Sequence, residues 1–392
     1  MQTASLATTA MRFDIATARR IVFGAGCLRE VAPAAKSMGA RALLVSGRTP
    51  RHAARLVVEL HAVGVGAAHF PIDGEPTLDV VTAGVTAAKR DRCNFVIACG
   101  GGSAIDAGKA IAALLTNPGE LLDYLEVVGR GKALPNPSAP FIAVPTTAGT
   151  GSEVTRNAVL ASPAHRVKAS LRSPHMLPTM AVVDPELTVD LPPAVTASTG
   201  LDALTQLIEP FTSIRANPMT DAWCRDGIRH ASALRRVCAD GKDLEARTSM
   251  SYASLLGGLS LANAGLGAVH GFAAPIGGMF PAPHGAVCAA LLPHCTRTNL
   301  EALRTRQPGN PALARYEEVA RILVSAQAKA DDLVPWLLAL TKDLGIPGLG
   351  SYGLTNAEVD DVCEKAAKAS SMKANPIVLT SDELRATLAA AL

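Results

Sequence analysis

The feature that most constrains this chain is a run of three glycines, Gly100, Gly101 and Gly102, that joins two apolar stretches. Residues 95–99 predict a buried strand. Residues 104–115 predict a helix, with Ser103 as its N-cap and Asp106 as a capping-box acid. A strand that enters a helix through glycines leaves free backbone N–H groups at a helix N-terminus, where a phosphate binds well. The spacing is neither G-x-G-x-x-G nor that of a P-loop, so a tight turn without a ligand is the alternative.

Strand and helix patterns alternate through the first half of the chain. Apolar runs that predict strands occur at residues 20–26, 42–46, 67–72, 94–99, 141–144 and 180–183, and helical patterns occur at 28–38, 53–63 and 77–90. This alternation predicts a parallel sheet with helices on both faces. Ligands of such sheets bind beyond the carboxyl ends of the strands, so the strand ends near Gly47 and Gly100 are expected to face one crevice.

The strand at 141–144 is followed by a loop that is dense in hydroxyl groups and glycine, residues 145–153. The hydroxyls of Thr146, Thr147, Thr150 and Ser152 suit a ribose, a pyrophosphate or the amide of a nicotinamide. A polar surface loop rich in turn-forming residues is the alternative interpretation.

Length and composition limit the class of protein. A chain of 392 residues predicts two domains. After residues 191–193 (Leu-Pro-Pro) the strand patterns largely vanish and helical stretches continue to the end. We therefore predict an α/β domain over residues 1–190 and an all-helical domain over residues 191–392. The formal net charge of +3, without dense Lys/Arg runs, argues against nucleic acid as a partner.

The eight cysteines contain no C-x-x-C pair, and we interpret them as reduced thiols of a cytoplasmic protein. Residues 1–10 have no basic segment leading into a long apolar core, so no signal peptide is predicted. No stretch is long and apolar enough to span a bilayer, and no membrane partner is expected.

A second group of polar residues lies in the helical half. Asp202 and Gln206 are four residues apart and share one helix face. His270 and His284 are separated by prolines and glycines, so they are expected on two helix termini joined by a loop. One Asp, one Gln and two His facing a cleft would form a nitrogen and oxygen metal site. Hydrogen-bonded core histidines are the alternative.

These motifs in combination resemble the iron-containing, or group III, alcohol dehydrogenases over nearly the whole chain, from about Ile21 to Asn375. The resemblance rests on five stretches: Gly100 to Ser103 with Asp106 and Lys109, residues 145–153, Asp184-Pro185, residues 200–204, and Pro283-His284-Gly285. It implies a dehydroquinate synthase-like fold: a Rossmann-like nucleotide-binding α/β domain, an all-helical domain, and a divalent metal in the cleft between them. It also implies hydride transfer between NAD(P)H and a carbonyl compound.

The resemblance further implies roles for matching residues. The implied catalytic residues are Asp202, His270 and His284, which together with Gln206 form the implied set of metal ligands. The implied cofactor contacts are Gly47, Arg48, Gly100, Gly101, Gly102, Ser103, Asp106, Thr146, Thr147, Thr150, Ser152 and Lys168. The implied cofactors are NADP or NAD and Fe²⁺ or Zn²⁺. The implied partners are a small alcohol or carbonyl substrate and a second copy of the chain in a homodimer.

Three departures from the family pattern change these expectations. Gln206 stands where the family has a histidine ligand, and an amide oxygen is a poor replacement for imidazole, so weak metal binding is expected. Ala274 stands where many members have a further active-site histidine. Gly47 stands where NAD-preferring members often have an acid, and Arg48 follows it. NADPH is therefore expected to be accepted at least as well as NADH.

Several functions remain open on this basis. An NAD(P)-dependent alcohol dehydrogenase with a degenerate metal site is the main hypothesis. A maleylacetate reductase-type enzyme that reduces an enone acid without metal is an alternative, although the loop at 145–153 looks more like that of the alcohol dehydrogenases. A sugar-phosphate cyclase on the same scaffold is disfavoured by the stretch 200–209. A non-catalytic nucleotide-binding relative is the last alternative.

Overall fold

A six-stranded parallel sheet organises the first half of the chain in the computed structural model, which describes residues 12–49 and 51–392. Its strands lie in the order β1-β8-β5-β4-β2-β3. An antiparallel hairpin, β6–β7, stands apart from this sheet. The strands are β1 Ile21–Phe23, β2 Arg41–Ser46, β3 Gly66–Pro71, β4 Phe95–Gly100, β5 Phe141–Pro145, β6 Asn157–Ser162, β7 Val167–Arg172 and β8 Met180–Val183.

Helices cover both faces of the sheet. They are α1 Val31–Ala35, α2 Arg51–Ala62, α3 Leu78–Arg90, α4 Gly102–Thr116 and the short α5 Leu121–Tyr124. Because neighbouring strand residues point to opposite faces, Leu43 and Val96 pack with α3 and α4, whereas Leu44 and Phe95 pack with α1 and α2. Every residue of β4 is buried, as expected for a central parallel strand covered on two sides.

Helices form the second half. The described residues there contain α6 Pro193–Thr212, α7 Pro218–Ala231, α8 Leu234–Ala239, α9 Leu244–Ala264, α10 Ala268–Met279, α11 His284–Arg306, α12 Ala312–Leu323, α13 Ala330–Asp343, α14 Val359–Lys368 and α15 Ser381–Ala389. The predicted architecture, a parallel α/β half followed by a helical half, is confirmed. In the part of the chain that the structure describes, no single helix is long and apolar enough to cross a membrane.

The predicted domain border near residue 190 falls between a 3-10 helix, Pro185–Thr188, and α6. Side chains from both halves share one core, in which Val154 and Val183 pack with Leu204 and Leu256. The two halves therefore meet through a continuous apolar contact.

Helix α9 carries two neighbouring glycines, and each allows a close approach to another part of the chain. A Cβ atom on Gly258 would lie 2.5 Å from the carbonyl oxygen of Gly151, so the two backbones touch. Gly151 has φ of +60°, which favours glycine. A Cβ atom on the preceding residue, Gly257, would lie 3.2 Å from Cβ of Gln206 in α6. Helix α9 thus contacts both the loop that follows β5 and helix α6.

Two local predictions are wrong. Helix α4 begins at Gly102 with Gly101 as its N-cap, and no side chain caps it, so Ser103 lies inside the first turn. Asp106 does not form a capping box, because its Oδ2 accepts a hydrogen bond from the backbone N–H of Val159 in β6, at 3.0 Å. The hairpin β6–β7 was not predicted, and α4 packs against it.

The break between the two histidines is confirmed, but it lies later than its breakers suggested. Pro275 and both glycines at 277 and 278 stay inside α10, and the chain leaves helical geometry only from Phe280 to Pro283. His270 is the third residue of α10 and His284 is the first residue of α11. Both imidazoles therefore project from helix N-termini.

Candidate active site in the interdomain cleft

Three strand ends form one edge of the sheet. In the parallel register, Ser46 of β2 lies beside Cys99 of β4, and Gly100 lies beside Pro145 of β5. The backbone N–H of Thr146 donates to the carbonyl oxygen of Gly100 at 2.9 Å. The loops after β2, β4 and β5 therefore begin at the same edge of the sheet, as predicted for the strand ends near Gly47 and Gly100.

The glycine run lines this crevice at the N-terminus of α4. A Cβ atom on Gly102 would lie 2.8 Å from Cγ2 of Thr150, so glycine is needed there for packing. A Cβ atom on Gly101 would meet Thr147 Cγ2 at 3.4 Å, an ordinary contact. Because α4 has fifteen residues and no side-chain cap, its first N–H groups and its dipole are free for an anion.

Lys109 does not face the crevice; its side chain binds the chain segment that follows β5. Its buried Nζ donates to the carbonyl oxygens of Ser152 at 2.8 Å and Asn157 at 2.7 Å, and to Thr155 Oγ1 at 2.9 Å. Asp106 lies 4.0 Å from the same Nζ. Burial lowers the pKa of Lys109 to about 8 and raises the pKa of Asp106 to about 6. Lys109 and Asp106 therefore stabilise the buried side of the segment that follows β5.

The end of β2 carries opposed charges. Arg48 Nη1 lies 3.5 Å from Oδ2 of Asp73, the second residue after β3, and both side chains are exposed. The position of Gly47 itself carries no acid, but a carboxylate lies next to Arg48. Asp73 was missed because it follows the neighbouring strand and not β2 itself.

A cavity connects the N-terminus of α4 with the start of α11. Among its lining residues are Ser103, Glu75, Lys168, Phe280 and Pro283, which is the N-cap residue before His284. Lys168 is nearly buried and its Nζ lies 3.0 Å from Oε1 of Glu75. The cavity therefore runs from the first turn of α4 to the residue that precedes His284.

Three of the four predicted metal ligands lie together next to this cavity, beside Pro283. Asp202 Oδ1 is 3.4 Å from His270 Nε2 and 3.9 Å from His284 Nε2. Cys288 joins them, with its Sγ 3.8 Å from His270 Nε2 and 3.7 Å from His284 Nε2. One ligand atom from each of these four residues lies within 4.8 Å of all the others.

Glu209 orients one of these imidazoles. Its Oε2 is 2.6 Å from Nδ1 of His270, and its Oε1 accepts the backbone N–H of Val269 at 2.7 Å. A carboxylate at Nδ1 holds a proton there, so Nε2 of His270 is the ring atom that faces the cluster and can bind a metal ion. This carboxylate–imidazole pair is typical of metal sites.

The charges of the cluster depend on one another. Burial opposes a charge on His270, but Cys288, Glu209 and Asp202 together raise its pKa well above the ordinary value. Burial lowers the pKa of His284 and raises the pKa of the Cys288 thiol to about 12. Asp202 has a lowered pKa in spite of its burial, because His284 and His270 lie beside it.

The residues present fit a divalent metal ion. Among the described residues, the buried oxygens Asp202 Oδ1 and Gln206 Oε1 have no hydrogen-bond partner, an arrangement that costs free energy unless something else binds them. A carboxylate, two imidazoles and a thiol are ordinary ligands of such an ion. Gln206 lies one helical turn after Asp202 and is buried.

Two residues of this cluster were missed from the sequence. Cys288 follows His284 by four residues, and Glu209 follows Asp202 by seven, so each lies on the same helix face as its partner. Those spacings were the available signals. Ala274, which replaces a further histidine, lies in α10 one turn after His270 and offers no polar atom.

Comparisons with known proteins identify the family and the fold of the chain. The family model for iron-containing alcohol dehydrogenase matches residues 18–185, and the model for the C-terminal domain of the Fe-containing alcohol dehydrogenase family matches residues 196–392. Alcohol dehydrogenase 4 of Schizosaccharomyces pombe is 35% identical over 381 residues, covering 95% of this chain and 87% of that protein. A 1,3-propanediol dehydrogenase of Klebsiella pneumoniae is 36% identical over 352 residues, covering 86% and 88%. The crystal structure of a 1,3-propanediol oxidoreductase superposes with a TM-score of 0.90 at 33% identity, covering 97% of this chain and 100% of that one.

Proposed function

Because the chain belongs to the iron-containing alcohol dehydrogenase family, we propose that it is an NAD(P)-dependent oxidoreductase that interconverts an alcohol and an aldehyde or ketone. One observation carries the proposal: the cluster of Asp202, His270 and His284 lies next to a cavity that Pro283, the residue before His284, lines together with Ser103 in the uncapped first turn of α4. An anion-binding helix end and a set of metal ligands thus flank one space.

Each side of the cleft has its own task. The N–H groups at the start of α4 bind the pyrophosphate of the nucleotide, and the hydroxyls of Thr147 and Thr150 lie beside them. In the oxidative direction, a hydride passes from the carbinol carbon to the nicotinamide and the hydroxyl group releases a proton. In the reductive direction, the carbonyl carbon accepts the hydride and its oxygen takes up a proton.

Asp202, His270 and His284 would hold the metal ion, and Glu209 keeps His270 in the required tautomer. A bound ion would supply a Lewis acid for the substrate oxygen. Ala274 cannot carry a proton, so the proposal routes the hydroxyl proton through water or a ribose hydroxyl of the cofactor.

Gly47 and Arg48 are the basis for the proposed use of NADPH. Arg48 can meet a 2′-phosphate, whereas Asp73 beside it can accept a hydrogen bond from a 2′-hydroxyl. We therefore propose that both nucleotides are accepted and that NADPH is used at least as well as NADH.

The test is turnover with a panel of aldehydes, ketones and alcohols, using metal-loaded protein with each nucleotide. Consumption of reduced nicotinamide that depends on the carbonyl compound is expected, and Asp202→Asn should abolish it. Asp221→Asn is the matched control, because Asp221 is a buried carboxylate that pairs with Arg315 in another part of the helical half. Absence of turnover across the whole panel with both nucleotides would refute the proposal.

A further inference from the structure

Cys288 has an unusual position for a buried thiol. It lies one turn after His284 in α11 and is fully buried. Its Sγ contacts the Nε2 atoms of both cluster histidines, at 3.8 Å to His270 and 3.7 Å to His284. Cys295, two turns further along the same helix, is equally buried but is not part of the cluster. Ordinary apolar packing therefore accounts for Cys295 but not for the two imidazole contacts of Cys288.

The distances match a tetrahedral set of ligands. Bonds of about 2.0–2.3 Å to zinc place tetrahedral ligand atoms roughly 3.3–3.7 Å apart. The four separations between ligand atoms of Asp202, His270, His284 and Cys288 given above are 3.4, 3.7, 3.8 and 3.9 Å. Movements of a few tenths of an ångström would bring these atoms to bonding positions.

Gln206 is a weaker candidate for the fourth position. Its amide oxygen is neutral and hard, and it compensates poorly for a missing imidazole. A thiolate is anionic and is a preferred ligand of zinc-class ions. The histidine that family members carry at position 206 is thus replaced in function by a ligand on a different helix.

We propose that the thiolate of Cys288 is the fourth protein ligand of the ion, which completes an Asp202–His270–His284–Cys288 set that selects zinc over iron. This inference rests on the proposed function only for the presence of an ion in the cleft. It assigns to Cys288 the ligand position that Gln206 fills poorly, and it assigns zinc in place of iron as the metal ion.

Cobalt is the probe for the sulfur ligand, since Co²⁺ bound by a thiolate shows a charge-transfer absorption in the near ultraviolet. Metal-free full-length protein is titrated with Co²⁺ alone, without nucleotide or alcohol. The wild type is expected to show the band, and Cys288→Ser is expected to lose it. Cys295→Ser, the matched change on the same helix, and Gln206→Ala should both retain it. A band of unchanged strength in Cys288→Ser would overturn the proposal.

Affinity gives a second measure. Removal of a carboxylate that only orients a ligand costs about 10- to 100-fold in metal affinity, so loss of a direct ligand in Cys288→Ala should weaken Zn²⁺ binding by about 100-fold or more. Gln206→Ala should change it by less than about tenfold. The reverse order of the two variants would assign the fourth position to Gln206.

X-ray absorption at the zinc edge of the wild type requires no variant. One sulfur at about 2.3 Å is expected, and a shell of nitrogen and oxygen alone would overturn the proposal. Exposure of the metal-free protein to equal amounts of Zn²⁺ and Fe²⁺ under anaerobic conditions should load zinc, and preferential loading of iron contradicts the selectivity. These readouts are separate from turnover: a sulfur ligand in an inactive protein would refute only the proposed function, and activity without a sulfur ligand would refute only this inference.

Discussion

Replacement of Glu209 by glutamine keeps the shape of a buried side chain but removes its charge and one of its acceptor oxygens. In the wild type, the two carboxylate oxygens accept from the backbone N–H of Val269 and lie against Nδ1 of His270, at 2.7 and 2.6 Å. A glutamine amide can accept only one of these hydrogen bonds, because its NH₂ group faces the other donor. If it stays bonded to Val269, His270 must move its proton to Nε2, which points into the ligand cluster.

The expected magnitudes follow from these contacts. A hydrogen bond to a charged group contributes about 1.5–3 kcal/mol, and a neutral one about 1 kcal/mol. Loss of one charged bond and weakening of the other lowers the free energy of unfolding by about 2–4 kcal/mol. A proton on Nε2 competes directly with a metal ion, so Zn²⁺ affinity should fall by about 10- to 100-fold.

Zinc titration of metal-free protein and urea unfolding measure the two effects on the same sample. Glu318→Gln is the matched control, because Glu318 forms an ion pair with Arg225 on the surface of the helical half, at 2.5 Å. That variant should lose less than about 1 kcal/mol of stability and keep its zinc affinity. If Glu209→Gln loses stability as expected but binds zinc like the wild type, Glu209 is only a structural residue and the assigned role in orienting His270 is wrong.

Three further predictions concern the nucleotide side of the cleft. Gly101→Ala should keep the free energy of unfolding within about 1 kcal/mol of the wild type, because there is space for a Cβ atom, but it should weaken nucleotide binding by about tenfold or more, because the methyl group stands where the phosphate approaches. Equal nucleotide affinity of variant and wild type in calorimetry would show that the glycine run is not part of the site. Gly47→Asp should shift the ratio of kcat/KM towards NADH, because a carboxylate there repels a 2′-phosphate; an unchanged ratio in side-by-side kinetics would contradict the placement of the ribose. Lys109→Met should lower the free energy of unfolding by about 3 kcal/mol or more, because two buried carbonyl oxygens and the Asp106 carboxylate lose their partner. A shift of the urea midpoint that corresponds to less than about 1 kcal/mol would show that water replaces the ammonium group.

The helices and strands whose own residues carry a clear apolar pattern could be predicted from the sequence. Buried parallel strands are continuous apolar runs, and β4 and β5 could be recognised by that property alone. The hairpin β6–β7 was missed because its residue types do not follow its alternating burial: in β6, Val159 and Ala161 are half-buried, whereas the polar Ser162 is buried. Its stability depends on tertiary contacts with α4, including the hydrogen bond to Asp106.

The candidate site likewise contains residues that a local sequence motif identifies and residues that only tertiary packing identifies. Asp202, His270 and His284 could be selected because they stand in motifs with a recognisable spacing. Cys288 could not be weighed against Gln206, because the choice depends on how α6 and α11 cross in space and not on distance along the chain. Asp106 and Lys109 stand in the glycine motif, but their side chains turn away from the crevice, and only the packing of the hairpin shows this.

The adjacent glycines of α9 let this helix approach two parts of the chain closely. Gly258 touches the backbone at Gly151, and Gly257 lies against the side chain of Gln206. Because the contact between α9 and the loop after β5 is backbone against backbone, an opening of the cleft that separated them would have to break it. The position of that loop against α9 is therefore set by backbone packing before a substrate arrives, and the free energy of binding is not needed to establish it.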